Sequence, residues 1–157
     1  MNLKDRIDAV QRRIAEYPDR MGKIKNPGDL TGSLRQKLNS GDVEFEMKVF
    51  LQELRAASVP LRLALASYVE IKKDIVSDIE EIDDLTVQAN EELSPQKAES
   101  LALSRIQALQ MNAIVETNIA ACQSQIDAIL KAEEQIKSTK RNWSDLVLDT
   151  LLNALNT

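Results

Sequence analysis

Ala89-Asn90-Glu91-Glu92-Leu93-Ser94-Pro95-Gln96-Lys97-Ala98-Glu99 is the stretch that decides the fold of this 157-residue chain. Ser94 is a strong helix N-cap, and proline at the next position is preorganised for a first helical turn. One helix therefore ends before Ser94 and another begins at Pro95. On both sides the breakers are missing: residues 42–157 contain no glycine, and their only prolines are Pro60 and Pro95. The reading is two long amphipathic arms, 42–93 and 95–141, folded back on each other. With the turn centred on residues 94–95, Ile75 falls near Ile114.

Composition supports an all-α chain. Apolar residues are 43% and charged residues 29%, so the chain folds rather than remaining disordered. Aromatics are only 3%, with four glycines and four prolines, which disfavours sheets and favours helices. There is no histidine, and Cys122 is the single cysteine. That excludes an internal disulfide framework, Ser-His-Asp catalysis and His-ligated metal sites. No cofactor is expected. The first residues, Met1-Asn2-Leu3-Lys4-Asp5, lack an apolar signal core. No run approaches the roughly 20 apolar residues that span a bilayer. The expected compartment is the cytoplasm.

The remaining elements follow along the chain. Leu3, Ile7, Val10, Ile14, Tyr17, Met21 and Ile24 form an unbroken heptad seam, so a helix is expected over 3–24, started by Asn2 and bent or ended near Tyr17 by Pro18 and Gly22. Residues 25–41 read as a loop and a short helix. Gly28-Asp29-Leu30-Thr31-Gly32-Ser33 lacks phosphate-loop spacing and is read as a plain connection. The first arm repeats through Val43, Met47, Phe50, Leu54, Ala57 and Leu61. It then continues through Leu65, Tyr68, Lys72, Ile75, Ile79, Ile82, Thr86, Ala89 and Leu93. The step from Leu61 to Leu65 is a stutter beside Pro60, which predicts a kink or a break near residue 60 with Ser58 as cap. The second arm carries Ala102, Ile106, Leu109 and Ala113. Its stripe then rotates to Val115, Ile119, Cys122, Ile126 and Ile129.

A tail helix over 143–156 has a wide apolar arc made by Trp143, Val147, Leu148, Leu151, Leu152 and Leu155. An arc that wide either docks into a groove of its own bundle or packs against another chain. Insertion into a membrane is disfavoured, because the polar strip is acidic. A second feature is an acidic face. Residues 61–93 hold three basic and nine acidic groups, among them Asp74, Asp78, Glu81 and Asp84. These acids are read as a solvated face pointing away from Ile75, Ile79 and Ile82, or as a surface for a basic partner. Such acidity argues against nucleic acid as a partner.

The run Leu101-Ala102-Leu103-Ser104-Arg105 through Ala108-Leu109-Gln110 resembles the helical toxic-anion (tellurite) resistance proteins over a short part of the chain. The resemblance implies no site residue or activity here.

The expectation is one all-helical domain: an elongated helical hairpin or bundle of three to five helices with coiled-coil-like seams. The role expected is a non-enzymatic structural or interaction subunit that assembles with protein partners, itself included. The alternatives are a small acidic inhibitor that masks a basic site, and a membrane-active helical protein.

Overall fold

The computed structural model describes residues 2–25, 47–138 and Leu151. The described residues contain helices and no strand, and the helices pack as a bundle. Helix α1 spans Leu3–Gly22, α2 spans Met47–Glu91 and α3 spans Pro95–Ser138; Leu151 is also helical. The expected loop and short helix of residues 26–41 lie outside the described residues, as does most of the tail helix. No described helix is long and apolar enough to cross a membrane. The chain divides into two compact units: Met1–Ile24 with Ser67–Ile119, and Lys25–Ala66 with Ala120–Thr157.

The first unit is a three-helix bundle. Asn2 caps α1, its side chain accepting from the Asp5 amide at 2.8 Å. Leu3, Ile7, Val10, Ile14 and Tyr17 are the buried seam of this helix. Pro18 does not end it. The helix continues to Gly22, its last turn tied by Arg20 to Asp74 and its buried edge anchored by Tyr17. The loss of one backbone donor at Pro18 is thus offset by side-chain anchoring on either side.

Between α2 and α3, Leu93 stands in the left-handed region at φ 55°. The Ser94 amide donates to the Ala89 carbonyl at 3.0 Å, and the Leu93 amide donates to the Asn90 carbonyl at 3.1 Å. These two bonds are a Schellman termination, with leucine in the place that glycine usually fills. The Ser94 carbonyl then accepts from Ala98, which opens α3. The arms run antiparallel in the expected register: Arg105 pairs with Asp83 at 2.9 Å and Glu116 with Lys72 at 3.3 Å.

The seam of α2 departs from the apolar reading. Its buried residues are Leu54, Leu61, Ala64, Tyr68, Ile71, Ile75, Asp78, Ile82, Leu85 and Ala89. With half-buried Ala57, these step by alternating threes and fours without interruption. There is no stutter at Leu61, because Ala64 continues the repeat. Nor is there a helix break at Pro60. Ser58 lies mid-helix, where its hydroxyl donates to the Arg55 carbonyl at 2.7 Å instead of capping a new start. Lys72, Ile79 and Thr86 flank the seam rather than forming it.

The second unit has its own core. Leu54 and Leu61 of α2 pack with Ile126, Ala128, Ile129 and Ala132 of α3 and with Leu151. Fully burying a leucine or isoleucine side chain is worth about 1.5–3 kcal/mol. Cys122 is buried, and burial pushes its thiol pKa up, as suits an inert core thiol.

Candidate functional site

Two surfaces of the first unit hold the residues of interest. The first is the face of α2 that carries the acids. Asp74, Asp78 and Glu81 follow one another by four and three, as do Arg13, Tyr17 and Arg20 on α1. Because the helices are antiparallel, the two sets meet. The Asp78 carboxylate accepts from the Tyr17 hydroxyl and from Arg13 Nε at 2.9 Å. Arg13 Nη2 also donates to Glu81. Arg20 Nη2 donates to Asp74 at 2.8 Å, and its guanidinium lies 5.4 Å from the centre of the Tyr17 ring. Together with Ser77, these side chains line an open polar recess of about 380 Å³.

The expected solvated orientation is therefore corrected at Asp78, while Asp74 and Asp84 are exposed as expected. Asp78 is only 4% exposed and occupies a core position of the α2 seam. Asp74 and Glu81 border it and point to the arginines of α1. An acid is tolerated in an apolar seam when donors meet it on the facing helix, and α1 supplies two. Electrostatics follow the same geometry. Burial, the hydrogen bond to Asp78 and the negative charge of Asp78 all push the Tyr17 phenol well above its ordinary pKa. Burial works against the charge on Arg13, but hydrogen bonds and attraction from Asp78 and Glu81 outweigh it, so its pKa rises.

On the other side of α1, Gln11 Nε2 donates to Ser100 Oγ at 2.7 Å and to Ser104 Oγ at 3.2 Å. Ser104 Oγ donates to the Ser100 carbonyl. Polar groups thus hold α1 to both α2 and α3. Among the described residues, no group of three or more Cys, Asp or Glu is arranged to hold a metal ion.

The second surface is the outer face of α3. The buried residues of this helix in the first unit are Leu101, Ser104, Ala108 and Val115. The stripe expected to be the seam, Ala102, Ile106, Leu109 and Ala113, is exposed instead. At 100° per residue it lies on the opposite side of the helix from the buried set. Ile106 is 54% exposed and Leu109 43%, and the neighbouring Leu103 and Ile114 are 61% and 47% exposed. The expected rotation of the stripe near residue 114 is therefore no turn of the core. The core simply follows Ser104 and Ala108, which an apolar count passes over.

Of the tail residues, Trp143, Val147, Leu148, Leu152 and Leu155 lie outside the described residues. Leu151 is fully buried in the core of the second unit. Sequence reasoning missed Arg13, Tyr17 and Arg20 as partners of the acids, although their matching spacing was visible. Comparison with known proteins finds no matching family model, no matching curated protein and no matching solved structure.

Proposed function

We propose that this chain is a non-enzymatic helical interaction subunit that assembles with itself or within a larger protein complex. The observation that carries this reading is the outer stripe of α3. Ile106 and Leu109 are exposed on it and Leu103 and Ile114 beside it, while the opposite face of the same helix fills the bundle core. A helix that is apolar on both faces has one face to spare for a partner.

The alternative of an acidic inhibitor draws less support. Three of its four acids are already paired with arginines of α1, and Asp78 is buried. A basic target would have to compete with Arg13 and Arg20 for them.

The test is affinity capture from the native host followed by mass spectrometry, with the unaltered chain and an Ile106→Glu/Leu109→Glu variant as parallel baits. The reading predicts protein partners, copies of the chain included, that the variant loses while keeping its helicity. Identical capture by both baits, together with no self-association of either, sinks it.

A further inference from the structure

The outer stripe of α3 has an order that singles out one occupant. Reading along it, Glu99, Ala102, Ile106, Leu109, Ala113 and Glu116 step by three, four, three, four and three. Both the spacing and the residue types are the same in either direction, with isoleucine and leucine exchanged at the centre. An isologous two-fold contact needs this property, since residue i of one copy meets j of the other and j meets i. Charge points the same way. Residues 106–115, Ile106-Gln107-Ala108-Leu109-Gln110-Met111-Asn112-Ala113-Ile114-Val115, carry no charge, although 29% of the whole chain is charged. A neutral apolar stripe fits another neutral apolar stripe and mismatches a charged one.

We propose that a second copy of this chain docks on the first through α3, the two helices antiparallel about a two-fold axis between residues 107 and 108. Ile106 of one copy packs against Leu109 of the other, and Ala102 against Ala113. The small alanines let the helices approach closely on either side of the aliphatic centre. Glu99 and Glu116 end the stripe, and each faces the other across the pair. Glu116 is already balanced by Lys72 of its own copy at 3.3 Å, whereas Glu99 is an exposed acid. Ala102 to Ala113 covers about 17 Å of helix. So short a contact makes the association weak and concentration-dependent. This inference rests on the interaction reading above and names its partner and geometry.

Sedimentation equilibrium of the full chain over a wide concentration range tests it. A monomer–dimer equilibrium is expected, and Ile106→Glu/Leu109→Glu is expected to abolish it with the circular dichroism spectrum unchanged. Glu99→Lys reports the direction of the helices. In the antiparallel pair each introduced ammonium meets Glu116 of the other copy, so the dimer tightens about threefold or more and the gain fades with salt. In a parallel pair Glu99 faces Glu99, and the substitution only exchanges one like-charged pair for another, so the dimer does not tighten; that result would overturn the geometry. A monomer at every concentration, or a dimer indifferent to the double substitution, overturns the second copy as occupant. Loss of captured foreign partners by that variant, with the chain monomeric throughout, also overturns it yet leaves the wider interaction reading standing.

Discussion

Asp78 stands where the heptad repeat of α2 has an apolar side chain at every neighbouring turn. Its burial is tolerable because Tyr17 and Arg13 donate to it from α1. Removing the acid alone leaves the Tyr17 hydroxyl without its acceptor. Asp78→Ala is expected to lose about 1–3 kcal/mol of stability. Arg13 keeps Glu81 and is 43% exposed, so it adds little to that cost. Replacing both buried partners, as Tyr17→Phe/Asp78→Leu, is expected to restore most of the loss, because no unmatched polar group remains in the seam. Urea denaturation of the three proteins checks this, and a double variant weaker than Asp78→Ala would contradict it. The tyrosine also sets an alkaline limit. The unfolded phenol ionises near pH 10, and the folded one holds its proton more tightly, through burial first and Asp78 next. Its contribution is therefore complete below about pH 10 and is lost as pH climbs toward the folded value. Tyr17→Phe should flatten the fall in stability above about pH 10 relative to the unaltered chain. Equal slopes in both would show that other groups govern it.

At the scale of elements, the α2–α3 turn holds a strained residue. Leucine at φ 55° costs about 1–2 kcal/mol relative to an ordinary conformation. Leu93 is 87% exposed, so its side chain contributes little packing to offset that cost. Leu93→Gly relieves the strain but loosens the unfolded chain. The net expectation is a gain of about 0.5–1 kcal/mol, read as a higher urea midpoint with an unchanged slope. A lower midpoint would mean that Leu93 makes contacts worth more than its strain. The two internal prolines teach a related lesson about helices. Pro18 and Pro60 each remove one backbone donor, yet both helices run on. Tertiary packing decides such cases, because one lost hydrogen bond is small beside a continuous buried seam.

For the molecule as a whole, the helical class, the α1 seam, the Asn2 cap and the register of the two arms were legible in the sequence. Each rests on strong local signals: apolar residues at heptad spacing, a capping side chain, and Ser94-Pro95. In the two long helices the seam was legible only in part: Leu54, Leu61, Tyr68, Ile75, Ile82 and Ala89 of α2 and Val115, Cys122, Ile126 and Ile129 of α3 are buried as expected, but the intervening α2 positions and the first half of α3 are not those expected. Their core positions include Asp78, Ser104, Ala64 and Ala108, which are polar or small, while larger aliphatic residues such as Ile106 face outward. Counting apolar groups picks the bulkier stripe, whereas the packing picks the stripe whose polar members find partners. The site followed the same pattern. The acids were visible, but their engagement depends on a facing helix some 65 positions away.

That separation bears on the order in which the chain assembles. Asp83 and Arg105 are 22 residues apart, while the contacts of α1 with α2 join residues 54 to 82 apart. Loop closure costs about 0.6 kcal/mol more for each doubling of length, so the hairpin closes first and α1 arrives on a surface already made. An element that docks last is also the first to leave. Native-state hydrogen exchange should find the amides of Ile7 to Tyr17 opening together, with a smaller free energy than those of Ile71 to Leu85. Uniform protection across both helices would instead mean that α1 is inseparable from the bundle it completes.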